Sequence, residues 1–251
     1  MQLFENRSGV ALVVGGTGGI GRATVNELVS AGAQVAFTYR SSSDAAQLMI
    51  DDYGDAVSAV QLDITDSAAC TEVVATTAAD GLHTLVYAAG PKVPQTHLSK
   101  VTPAEFAKAV DAEVKGFFNV TSAALPYLRE SNGSIVAVTS AATDRYAVRD
   151  GLSAGPKSAV EALVRGIAAE EGRFGVRANS VGPGMLSDGM AATLMAEGHY
   201  DQKALDVATN NIALRRFGTG TDVAAAVCFL ASDRANYISG QSLNVDGGYA
   251  I

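Results

Sequence analysis

Positive charge is scarce: 18 lysines and arginines stand against 26 aspartates and glutamates, a formal net charge of −8. That balance gives no electrostatic reason to expect nucleic acid or an anionic membrane as partner. Cysteine is scarcer still. Cys70 and Cys228 are the only two, each in an apolar context. Two reduced, buried thiols in a cytoplasmic protein are expected, not a disulfide. His83, His97 and His199 are scattered at no metal-ligand spacing, so no metal is expected. No apolar stretch is long enough to span a membrane. Arg7 and Gly9 lead directly into a strand-like run, without the pattern of an export signal. What is present is 251 residues, 48% hydrophobic and rich in Ala, Val and Gly. That suffices for one large domain, taken as 1–251, with a substantial core.

Strand-like and helix-like patterns alternate along the chain. Residues 9–16, 34–39, 56–64, 83–90, 133–140, 175–184 and 241–248 read as strands. Helical spacing is seen at 19–33, stopping at Gly32, and from Ser43 or Asp44 onward. Thr102, Pro103 and Glu105 open a further helix as a capping box with proline at its first position. Residues 153–173 and 221–232 are two more. This alternation predicts parallel β-α-β units with helices on both faces of one sheet. The stretch 185–220, rich in Met, Gly and Asn, is less patterned. It follows the sixth strand, where ligands of such sheets sit, and is a candidate lid.

"VGGTGGIG" (14–21) joins the first strand to the first helix. It reads either as G-x-G-x-x-G on Gly16, Gly18 and Gly21 or as G-x-x-x-G-x-G on Gly15, Gly19 and Gly21. Glycines there let the backbone approach a pyrophosphate on the helix N-terminus. A dinucleotide is the expected ligand. The second strand ends "TYRSS" with no acid for a ribose hydroxyl. Arg40 and Ser41 suit a 2′-phosphate instead, so NADP(H) is the expected cofactor.

From residue 9 to 248 the chain resembles the short-chain dehydrogenase/reductase family. The glycine loop, "LDIT" (62–65), "YAAG" (87–90), "IVAVTS" (135–140), residues 157–184 and residues 215–248 follow in family order. The resemblance implies a single-domain Rossmann fold, α/β, with a seven-stranded parallel sheet, commonly assembled as a homotetramer. It carries cofactor contacts onto Gly15, Thr17, Gly19, Ile20 and Gly21 of the loop. Asp63 meets the adenine amine, beside Ile64. Ala89, Gly90 and Lys157 follow, then Pro183, Gly184 and Leu186 at the nicotinamide end. Where the family places a threonine for the carboxamide stands Asp188, which is expected to point away, with Ser187 or backbone groups in its stead.

The family's catalytic set is Asn, Ser, Tyr and Lys. Ser140 and Lys157 match. The tyrosine position holds Ser153, and alignment on Gly116 puts Glu113 at the asparagine position. A serine hydroxyl is a poor proton donor, and Ser153 before Gly155 and Pro156 reads mainly as a helix cap. Glu113 has two readings: an acid carrying a proton in a desolvated cleft, or an ion-pair or water-holding partner of Lys157. The combination is similar to peroxisomal-type 2,4-dienoyl-CoA reductases, which use NADPH on conjugated double bonds. Tyr146 is a candidate substitute donor or a plain substrate-loop aromatic. Three functions follow: an NADPH-dependent reductase of an activated C=C or C=O bond in a small molecule, a cofactor-binding protein with little turnover, or an isomerase or dehydratase using Glu113.

Overall fold

The computed structural model describes residues 2–189 and 202–251. Among them the chain alternates β1 (Val10–Val14), α1 (Gly19–Ser30), β2 (Gln34–Tyr39), α2 (Ser43–Tyr53), β3 (Val57–Gln61), α3 (Ser67–Thr77) and β4 (Leu82–Tyr87). There follow α4 (Pro103–Val110), α5 (Gly116–Ser131), β5 (Ser134–Val138), α6 (Gly151–Glu171), β6 (Arg177–Pro183), α7 (Gln202–Asn210), α8 (Gly220–Ala231) and β7 (Ser242–Val245). The strands form one parallel sheet in the order β3-β2-β1-β4-β5-β6-β7. This is the α/β architecture the alternation predicts. The chain winds outward in both directions from β1, so the loops after β1 and β4 part company and leave a crevice between them.

Both faces of the central strands are buried. Ala11 and Val13 of β1 pack with Val25, Leu28, Val223 and Val227 of α1 and α8. Leu12 and Val14 pack on the opposite face with Val74, Val120, Leu128 and Val164 of α3, α5 and α6. Successive side chains alternate between the faces, and burial on both sides makes these strands read as unbroken apolar runs. Each buried Val or Leu contributes roughly 1.5–3 kcal/mol, which fixes strand register at the base of the crevice. Cys70 and Cys228 are buried free thiols, and burial pushes their pKa values up to about 11 and about 12. Among the described residues no helix is long and apolar enough to cross a membrane.

Several elements differ from expectation. Helix α3 is capped by Asp66, whose carboxylate accepts from the amides of Ala68 and Ala69. Helix α5 runs through Pro126 and stops at Asn132 in the left-handed conformation, φ 49°. Helix α4 has the expected capping box, then passes into α5 through one π-helical turn, Asp111–Lys115. Such a turn inserts one extra residue into the register and often marks a functional site. Helix α6 begins at Gly151, with Asp150 at its flanking position. Ser153 therefore lies inside the first turn and is not the cap it was expected to be. Of the candidate lid at 185–220, residues 190–201 lie outside the described residues. Its two ends are tied together by a bridge between Leu186 and Gly218.

Candidate active site

The turn after β1 settles which glycines matter. Gly15 has φ +83°, and a β-carbon there would fall 2.8 Å from Ala89 Cα. A β-carbon on Gly21 would lie 2.1 Å from the Gly15 carbonyl oxygen. Gly21 belongs to both readings of the motif. A β-carbon on Gly19 would fall 2.6 Å from Gly189 Cα, and one on Gly18 no closer than 3.4 Å to the Gly15 carbonyl oxygen, which favours G-x-x-x-G-x-G. Gly16 packs against Phe37, 2.5 Å from its β-carbon position. Gly18 precedes α1 without a side-chain cap, and the first turn of α1 carries no acid. Its first amides are left to an anion. Thr38 supports the turn from β2, its hydroxyl accepting from Gly15 N at 3.1 Å.

Two cavities open over this turn. The first, about 250 Å³, is lined by Gly15, Thr17, Arg40, Ser41, Asp63, Ile64, Ala89 and Gly90 among others. All eight are expected cofactor contacts. Asp63 Oδ1 accepts from Thr65 N at 2.9 Å and Thr65 Oγ1 at 2.7 Å, and these bonds hold its carboxyl below the usual range. Asn119 Nδ2 donates to the Ile64 carbonyl at 2.9 Å and fixes that wall. The second cavity, about 600 Å³, shares Gly18, Ala88, Ala89, Gly90 and Pro91 with the first. It brings Gly19, Ile20, Pro183, Gly184 and Leu186 to the same space as Ser140, Ser153 and Lys157. The uncapped helix start, the close backbone cradle and two joined cavities fit an extended dinucleotide.

Glu113 lines neither cavity. It is 3% exposed in the π-helical turn, and its Oε1 accepts from Lys157 Nζ at 3.0 Å. Of its two expected readings, the geometry is that of the ion pair. A β-carbon on Gly90 would lie 3.1 Å from Glu113 Oε2, so a glycine there lets the pair reach the cavity wall. Tyr87, at the end of β4, packs under the same turn. Its hydroxyl donates to the Glu113 carbonyl at 3.2 Å. Burial, and then Glu113, push its pKa well above the ordinary value, so this phenol is no acid at neutral pH. Ser140 Oγ accepts from Ala142 N at 3.1 Å, which leaves its own proton to be donated. Tyr146 is half exposed and outside the cavity lining. It is not placed as the substitute donor. Gly21 also lies outside the lining, as a packing residue of the turn.

Two acids border the second cavity. Asp188 belongs to the wall of the second cavity, with its Oδ2 turned to the start of α8, where it accepts from Gly220 N at 2.8 Å. Ser187 turns its hydroxyl to the Gly218 carbonyl at 3.2 Å and leaves the cavity. Asp150 was missed altogether, though it lines the second cavity. Gln95 Nε2 donates to its Oδ1 at 3.0 Å. The spacing Asp150, Ser153, Lys157 was the available signal, because i, i+3 and i+7 share one helix face.

A glycine turn at the switch point of a parallel sheet, leading to a cavity with a serine and a lysine, defines a dinucleotide-dependent oxidoreductase. The chain belongs to the short-chain dehydrogenase/reductase family, whose cofactor is NAD or NADP. Residues 14–250 match a family model described as enoyl-(acyl carrier protein) reductase. Versicolorin reductase from Emericella nidulans is 32% identical over 95% of this chain and 94% of its own. A 3-oxoacyl-[acyl-carrier-protein] reductase from Staphylococcus aureus is 32% identical over 95% of this chain and 96% of its own. Among solved structures, a blue fluorescent protein from a metagenomic library in complex with NADPH superposes with a TM-score of 0.88. It is 29% identical, with both chains covered completely. A short-chain dehydrogenase/reductase from Serratia marcescens gives the same TM-score, identity and coverage.

Proposed function

We propose that the protein is an NADPH-dependent reductase of an activated C=C or C=O bond in a small molecule. The observation that carries this reading is the order of groups along one crevice. Arg40 and Ser41 stand at one end, the glycine turn in the middle, and Ser140, Ser153 and Lys157 at the other. Bound NADPH would supply the hydride. The Arg40 guanidinium and Ser41 hydroxyl hold the 2′-phosphate, and β2 ends in no acid that would favour a free ribose. The first amides of α1 receive the pyrophosphate. Lys157 holds the nicotinamide ribose, and its ammonium stabilises negative charge as it develops nearby. Glu113 positions Lys157. Ser140 donates to the substrate oxygen and orients it. In the same reading the protein works as a homo-oligomer, and exposed Phe106 and Phe118 are the kind of surface a second copy covers.

The reading is tested by fluorescence titration of NADPH and NADH with the parent and Arg40→Ala. Arg40→Ala should weaken NADPH by about 1.5–3 kcal/mol, as for a lost charged hydrogen bond, and NADH much less. Stopped-flow oxidation of bound NADPH by enoyl thioesters, dienoyl thioesters and a panel of ketones follows. Equal affinities in the parent overturn the cofactor assignment. If no member of the panel oxidises bound NADPH, the cofactor-binding reading with little turnover replaces this one.

A further inference from the structure

An aspartate just before a helix ordinarily folds its carboxylate back onto the first amides. Asp150 does not. Its backbone carbonyl accepts from the amides of Ser153 and Ala154, at 2.9 and 2.8 Å, while its side chain makes no capping bond. The carboxyl is instead held by Gln95, from the segment after β4, and faces the cavity that contains Ser140, Ser153 and Lys157. Its other side-chain hydrogen bond is with Ser153, so none goes to the first amides of the helix. Asp150 stands one helical turn before the position where the family carries its phenol.

We propose that the Asp150 carboxyl is the proton donor of the reduction. The proposal rests on the reductase reading above. As the hydride reaches carbon, the oxygen of the substrate carbonyl, or of the enolate of a conjugated substrate, takes the proton. The acid O–H breaks, the product O–H forms, and the remaining carboxylate faces the Lys157 ammonium. A solvent proton then restores the acid. Burial raises the Asp150 pKa, whereas Gln95, Lys157 and Ser153 draw it back. The net direction is upward, toward an acid that keeps its proton at higher pH than an exposed aspartate. The groups facing it from each element are accounted for. Lys157 lies on the same helix, and Glu113 of the π-helical turn is engaged by that lysine. Gln95 and Ser140 are neutral, and Asp188 lines the cavity after β6.

The test uses the full chain, NADPH and whichever ketone or thioester the parent reduces. Asp150→Asn should slow single-turnover reduction by about 10²–10⁴-fold, the usual worth of a general acid, with NADPH affinity unchanged. In the parent the rate should fall as pH rises through the raised Asp150 pKa, and Asp150→Asn should lack that limb. Gln95→Leu removes a bond that favours the carboxylate and should move the limb to higher pH. Infrared difference titration of parent against Asp150→Asn reads the acid carbonyl band without turnover. The band should persist above the pH at which an exposed aspartate loses it. An Asp150→Asn that reduces like the parent with the limb intact overturns the proposal, as does an acid band lost at the ordinary aspartate pH. A parent that reduces nothing defeats the reductase reading itself, and with it any donor.

Discussion

Lys157 and Glu113 are close, nearly buried, and useful only together. Their side chains are 16% and 4% exposed. Removing one partner of such a pair strands the other charge, which typically costs about 3–5 kcal/mol. Lys157→Met and Glu113→Gln should each destabilise the fold by about that order, and the double variant by much less than their sum. Urea unfolding of the four proteins measures the coupling, and strict additivity would show that the pair is not a unit. Gly15 and Gly21 were legible in the sequence because a tight turn between strand and helix calls for glycine, and Ser140 by its place in the family pattern. Lys157 was legible by its place in the family pattern. Glu113 was legible as a position with two roles, and the choice of the ion pair with Lys157, 44 residues away, over a protonated acid needed the fold. Ser153 was misread because Gly155 and Pro156 resemble a first turn, yet Pro156 is the sixth residue of α6. Asp150 left a signal in its spacing to Ser153 and Lys157, but its partner Gln95 is brought near only by the fold.

At the scale of elements, the junction of α8 with β6 hangs on one buried cation. Arg177 Nη1 donates to the Leu230 carbonyl at 2.7 Å, and Nη2 to Ala231 and Ser232 at 3.2 and 3.0 Å. Those are the last carbonyls of α8 and its cap, which lack partners within a helix. Arg177→Met should cost about 1.5–3 kcal/mol or more, with faster amide exchange concentrated at the end of α8 and in β6. Lysine cannot supply the planar fork, so Arg177→Lys should recover only part of the loss. Thermal unfolding and hydrogen exchange check both, and uniform exchange along the chain would count against the junction. The strands were the legible elements, since burial on both faces writes them as apolar runs. Helix α3 escaped notice because only Cys70 and Val74 of it are buried, too short a stripe to show a period. Helix α5 escaped because Pro126 interrupts a pattern that tertiary packing nevertheless holds helical.

For the molecule as a whole, the acid side of stability is set in part by His83. The ring stacks on Phe4 with centroids 5.6 Å apart, its Nδ1 lies 2.9 Å from Thr84 Oγ1, and it is 2% exposed. Burial, and then Arg7, lower its pKa to about 4 from an ordinary 6.5. The unfolded chain takes up a proton in that window that the folded one refuses. Stability is therefore complete above pH 6.5 and falls as pH drops toward about 4, by on the order of 3 kcal/mol. His83→Gln should flatten this slope in urea unfolding across the window; an unchanged slope would assign it to other groups.

The strip Gly18, Ala88, Ala89, Gly90 and Pro91, common to both cavities, makes the crevice two half-sites in series. An adenosine nucleotide and a nicotinamide nucleotide, given as separate molecules, would each bear a full association cost. The covalent bridge of the intact dinucleotide turns the second docking into an intramolecular event, at an effective concentration in roughly the millimolar range. The intact molecule should then outbind the two fragments by far more than any contact the bridge itself makes.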